Sequence, residues 1–203
     1  MELVPWWDEA KSVLNKDPFL TDVIARYPDE GLAIQNEPFV TLARAIVGQQ
    51  ISVTAADTVW KRLEAMCEGN ITVSKIVELS PDDLRSAGCS FRKGEYLIHV
   101  AERIDEFLEE GFDEEDSVLI KRLTALRGIG PWTAEMFLIF ALGKPDVFPI
   151  GDVGLIRGLR QVVPETLDME SKDIARFAER WKPWRTAVTW YLWRVIDPEP
   201  VAY

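Results

Sequence analysis

Cysteine, histidine and long apolar runs are the scarce features of this 203-residue sequence. Cys67 and Cys89 are its only cysteines, too few for a disulfide framework, and neither stands in metal-ligand spacing. Both are expected as reduced, buried core residues. His99 is the single histidine and falls within a helical segment, so it is read as structural. No run of eighteen apolar residues occurs, which excludes a membrane-spanning helix. The start, MELVPWWDEAK, has no basic segment ahead of an apolar one, so no signal peptide is expected. The expectation is a cytoplasmic protein with no membrane partner. Polar–apolar alternation long enough for a strand is also missing, as are internal repeats and low-complexity tracts. Positive charge is in deficit, with 23 Lys and Arg against 34 Asp and Glu, a net charge of −11. That weighs against a polyanionic partner, whose affinity comes largely from Lys/Arg–phosphate attraction. The distribution softens the objection. Residues 1–116 carry 11 basic and 24 acidic side chains, whereas residues 117–203 carry 12 and 10.

What is present is amphipathic helix. With 47% hydrophobic residues the chain can bury one sizeable core or two small lobes. Trp6 to Leu14 and Phe19 to Tyr27 read as short helices, followed by a longer one from Pro38 to Gly48 with Phe39, Leu42, Ala45 and Ile46 on one face. Gly48-Gln49-Gln50-Ile51-Ser52 then interrupts, and a further helix carries Val59, Trp60 and Leu63. Ser80-Pro81-Asp82-Asp83 is a strong helix start, with an N-cap, proline at the first position and acids in the first turn. Tyr96 to Leu108 is another amphipathic helix, preceded by Lys93, for which a solvated lysine is the simpler reading. The class is all-α.

The segment Leu123–Leu159 organises the rest. A helix ends near Leu126, the chain breaks at Arg127-Gly128-Ile129-Gly130, and a new helix starts at Pro131-Trp132-Thr133. Two glycines two apart allow a tight turn, and the first amides of the new helix have no partner inside it. Hairpin and helix start therefore present N–H groups to an anion. Alone, this could be an ordinary helix–helix turn. Its sequel is more specific. A Gly/Pro-containing loop, Asp146-Val147-Phe148-Pro149-Ile150-Gly151, leads to Asp152 and a helix from Val153 to Val162, and A-E-R-W-K-P-W-R follows at 178–185.

These motifs, in this order, resemble the alkylation-repair DNA-3-methyladenine glycosylase II family of the helix-hairpin-helix DNA glycosylases, from about Phe39 to Trp193. The resemblance implies two helical lobes with a cleft between them in one bipartite domain. One lobe would run from about 37 to 145, and the other would combine 1–36 with 146–203. It implies a monomer acting on double-stranded DNA containing alkylated bases, nucleoid-associated through DNA in a prokaryote. It assigns Arg127, Gly128, Gly130 and Thr133 to phosphate contact, which gives affinity without base preference. Gln49, Gln50 and Ile51 would include the wedge that fills the gap left by an expelled nucleotide, though two glutamines capping a helix junction would look the same. Basic side chains near the contact surface would be Arg127, Arg157, Arg160, Lys182 and Arg185.

The resemblance also implies chemistry. Cleaving a base from deoxyribose builds positive charge on the sugar, which a carboxylate beneath it stabilises. Asp152 fills that position and would also N-cap the following helix, where a negative charge is favoured; as a cap alone it would be worth ~1 kcal/mol. Bifunctional relatives carry a Schiff-base lysine where this chain has Trp132, so strand cleavage is not expected. A pocket for cationic, extruded purines such as 3-methyladenine and 7-methylguanine would use Trp132, Met136, Trp193 and Phe39, with aromatic faces as platforms. Aromatics at helical spacing are otherwise core. Met136 stands where a relative has an aromatic ring. No cofactor is required; a monovalent cation, Na⁺ or K⁺, is implied by analogy on the carbonyls of Thr124, Leu126 and Ile129. The four-cysteine iron–sulfur cluster of some relatives is excluded, since no cysteine follows Cys89. The alternatives are a non-catalytic helix-hairpin-helix DNA-binding module and a glycosylase for another damaged base.

Overall fold

The computed structural model describes residues 3–34 and 37–197. The expected lobe junction at residue 36 and residues 198–203 of the expected second lobe lie outside them. The described residues form twelve α-helices in chain order: α1 Trp7–Leu14, α2 Thr21–Arg26, α3 Pro38–Gly48, α4 Val53–Met66, α5 Val73–Val77, α6 Pro81–Ser86, α7 Phe91–Glu109, α8 Asp116–Thr124, α9 Pro131–Phe140, α10 Val153–Val162, α11 Ser171–Ala178 and α12 Arg185–Ile196. Short 3₁₀ turns occupy Pro164–Thr166 and Glu179–Trp181. There is no strand among the described residues, only an isolated bridge between Leu3 and Ala33. The fold is all-α.

Local chemistry sets the helix boundaries. Serine caps three of them: Ser52 accepts from Ala55 N, Ser80 from Asp83 N and Ser90 from Lys93 N. At Ser80 the bond is reciprocated, because the Asp83 carboxylate accepts from the Ser80 amide, completing a capping box. The Ser90 cap starts α7 five residues before the apolar periodicity begins at Tyr96, which is why the sequence pattern alone shortens that helix.

The chain clusters into two compact units, one of residues 3–34 and 138–197, the other of residues 37–137. In the 37–137 unit, α7 is the hub and packs against α3, α5 and α6. Cys67 and Cys89 are free and buried, and burial pushes both thiols up, as expected of inert core residues.

The other unit is built on α12, whose buried residues run continuously from Thr186 to Leu192, so it is enclosed on all faces. Trp7 of α1 lies edge-on to Trp190 at 5.3 Å between ring centroids. A Cβ on Gly158 of α10 would lie 2.2 Å from the Leu192 carbonyl oxygen, so the glycine is what lets the α10 and α12 backbones touch. The loop before α10 is clamped to the start of α12. Thr186 Oγ1 donates to Lys144 O at 2.6 Å and accepts from Val147 N at 2.9 Å. Arg185 grips Asp146 with Nε at 2.7 Å and a terminal nitrogen at 3.0 Å. This planar two-point pair, together with the buried threonine, fixes the loop that delivers Asp152.

Candidate active site

Asp152 is half-buried at the N-cap of α10. Its amide donates to Pro149 O at 2.8 Å, closing the turn that follows the clamped loop. Its Oδ1 accepts two bonds, from Leu155 N at 2.6 Å and from Trp193 Nε1 at 3.1 Å. Gly154 makes room, since a Cβ there would approach Oδ1 to 3.1 Å and the Trp193 ring to 3.6 Å. Trp193 is itself fixed by stacking on Phe140, with centroids 5.8 Å apart and ring planes 10° from parallel. One carboxylate oxygen is thus held by a backbone amide and an indole N–H on a rigid platform. The carboxylate is oriented by donors that do not neutralise it, at the positive end of a helix. Beside the π-face expected of Trp193, its N–H to Asp152 is a second feature that no spacing rule reveals.

Asp152 also lines an open concavity of about 590 Å³ with Ile150, Gly151, Val153, Arg157 and Arg160 among its walls. Val153 and Leu167 in that wall are 81% and 57% exposed.

In the 37–137 unit the hairpin joins α8 to α9. Gly128 has φ +99°, and a Cβ there would sit 2.4 Å from Tyr96 Cγ, so both conformation and space demand glycine. Gly130 differs. It is not among the positive-φ glycines, and nothing lies within 4 Å of where its Cβ would be. The space beside its Cα is open to a close neighbour. The turn is closed by Ile129 N donating to Leu126 O at 3.1 Å. Thr124 is the last residue of α8, and Leu126 and Ile129 lie in the turn after it.

The remaining expected residues separate by exposure. Trp132 and Trp193 are half-buried, whereas Met136 is 0% and Phe39 7% exposed and both belong to the core. Thr133 is buried, and its hydroxyl accepts from Gln49 Nε2 at 3.0 Å. The same Gln49 nitrogen donates to Gly128 O at 2.9 Å. Gln50 and Ile51 are exposed, with Gln50 at φ +57°. Lys93 is not a solvated lysine: its amine donates to Val47 O at 2.7 Å, and burial holds its pKa below the ordinary lysine value. Arg127 pairs with Glu95 at 3.0 Å and leans over Tyr96. Lys182 pairs with Glu179 at 2.7 Å, and Arg185 adds Glu179 at 3.2 Å to its Asp146 clamp. The Arg185 clamp went unseen in the sequence because arginine and partner lie 39 residues apart.

The chain is similar to known proteins in sequence and in fold. The family model described as HhH-GPD superfamily base excision DNA repair protein matches residues 43–185. DNA-3-methyladenine glycosylase 1 of Schizosaccharomyces pombe is 31% identical over 86% of this chain and 79% of its own length. Among solved structures, a DNA-3-methyladenine glycosidase from Bacillus halodurans is 34% identical with a TM-score of 0.74, covering 93% of this chain and 89% of that one. The S. pombe 3-methyladenine DNA glycosylase in complex with abasic DNA is 29% identical with a TM-score of 0.82, covering 92% and 95%.

Proposed function

From the premise that this chain belongs to the HhH-GPD superfamily of base excision DNA repair proteins, among its DNA-3-methyladenine glycosylases, we propose that it is a monofunctional glycosylase. It binds duplex DNA, extrudes alkylated purines such as 3-methyladenine and 7-methylguanine, and hydrolyses their bond to deoxyribose. The observation that carries this reading is the two-donor restraint on Oδ1 of Asp152. A non-catalytic DNA-binding module would use the capping bond from Leu155 but has no use for the second donor, Trp193, on the same oxygen.

Methylated purines are cationic and leave without a dedicated acid, so the work falls on the developing sugar cation. Asp152 faces it with a fixed negative charge and orients the attacking water. The half-buried indole of Trp193, which also holds Asp152, offers a π-face to the cationic base. The amides at Gly130 and the first turn of α9 take a backbone phosphate, and the bare Cα of Gly130 lets it approach. A Na⁺ or K⁺ held by the carbonyls of Thr124, Leu126 and Ile129 would add positive charge beside that phosphate. No lysine lies in α9, and Trp132 cannot form a Schiff base, so the product is an abasic site in an intact strand.

The test is Asp152→Asn. Asparagine keeps Oδ1, which takes both the Leu155 and the Trp193 bonds, so fold and helix start are retained. Only the charge goes. Single-turnover excision of 7-methylguanine should fall by about 10²–10³, with lesion binding and melting temperature preserved. Near-normal excision would remove Asp152 from the chemistry. Lost excision with a large fall in melting temperature would make it a structural cap.

A further inference from the structure

The exposed turn between α3 and α4 is tied down on both sides by bonds that α3 and α4 themselves do not require. Lys93, from the first turn of α7, donates to Val47 O in the last turn of α3. A cation there satisfies a carbonyl that the helix leaves unpaired and complements its negative end. Two residues on, Gln49 leaves the helix with φ −52° and ψ 125° and turns its amide onto the hairpin, to Gly128 O at 2.9 Å and Thr133 Oγ1 at 3.0 Å. These two acceptors stand on either side of the Ile129–Trp132 segment, so one side chain spans the phosphate-binding turn. Immediately after it, Gln50 is exposed in the left-handed region at φ +57° and Ile51 is 42% exposed. A glutamine held there costs about 1–2 kcal/mol, and such strain persists only where the surroundings fix it. Lys93 and Gln49 are those surroundings.

We propose that Gln49 is a positioning residue that locks the exposed Gln50–Ile51 turn to the phosphate-gripping hairpin, so that anchoring the DNA backbone and filling the vacated stack occur in one fixed register. This rests on the glycosylase reading above and divides its three wedge candidates: Gln49 is the brace, and the inserting side chain is Gln50 or Ile51. Insertion holds a nucleotide out only if the wedge keeps its distance from the phosphate grip, and a displacement of about 1 Å costs on the order of 10²-fold in a positioned reaction.

The experiment is a mutant cycle in the full-length protein between Gln49→Met and a double substitution, Gln50→Ala with Ile51→Ala. Methionine keeps the length and neutrality of glutamine and removes both donors. The readouts are single-turnover release of 7-methylguanine, 2-aminopurine fluorescence for base extrusion, and affinity for undamaged duplex. Gln49→Met should lower excision and extrusion at least tenfold, leave undamaged-duplex affinity within about twofold, and have no further effect once the wedge side chains are gone. Thr133→Val, which removes one of the two acceptors, should show a smaller loss of the same kind and covers the case of a poorly folded Gln49→Met. If the losses multiply independently of the wedge, or if undamaged-duplex binding falls as expected for a damaged hairpin, Gln49 is only part of the scaffold and the inference is overturned. Failure of the unaltered protein to release any methylated base is a separate result, which removes the premise as well.

Discussion

At the scale of single residues, Trp193 carries two functions that substitution can separate. Its ring stacks on Phe140, and its N–H holds Oδ1 of Asp152. Trp193→Phe keeps an aromatic face and loses the donor. One hydrogen bond to a charged acceptor is worth about 1.5–3 kcal/mol, so excision should fall by about tenfold or more. The melting temperature should shift little. Equal activity in the Phe variant would mean that Leu155 N alone orients the carboxylate. The Asp152–Trp193 bond was not legible in the sequence, because it joins residues 41 apart and neither has a periodic or motif signature for the other. Asp152 itself was legible, since a Gly-Asp pair ahead of an amphipathic run is a helix start in any context.

At the scale of elements, two glycines of one hairpin have different reasons to be glycine. Gly128→Ala forces a Cβ into Tyr96 at a left-handed φ and should destabilise the fold as well as weaken DNA binding. Gly130→Ala meets nothing within 4 Å and should melt like the parent, yet lose affinity for damaged and undamaged duplex alike. Thermal melts beside duplex titrations separate the pair. A Gly130→Ala protein with full affinity would show that no phosphate approaches there. Gly158→Ala is the packing counterpart: its Cβ would lie 2.2 Å from the Leu192 carbonyl and push α10 from α12. Overpacking of this kind costs about 1–3 kcal/mol or more, a fall of several degrees in Tm for a chain this size. The helix limits of α3 and α10 follow directly from Pro38 and Asp152, whereas α7 begins earlier than its apolar stripe because a serine cap outranks periodicity. Which residues pair across turns, as Gln49 does with Gly128, depends on packing that local sequence does not encode.

At the scale of the whole molecule, a chain of net charge −11 must bind a polyanion against its own overall charge. Several of its candidate cations are already engaged: Arg127 with Glu95, Lys182 with Glu179, Arg185 with Asp146. A grip through backbone amides, as proposed, would release few ions. A plot of log affinity against log salt should have a shallow slope of about −2 to −3, the value for roughly three neutralised phosphates; a slope near −8 would reveal a basic surface not accounted for. Purified protein incubated with methylated duplex DNA should release 3-methyladenine and 7-methylguanine, leave abasic sites that break only on heat or alkali, and give no covalent adduct on borohydride reduction. Release of no methylated base, or a trapped protein–DNA adduct with a nicked strand, would contradict the proposed function.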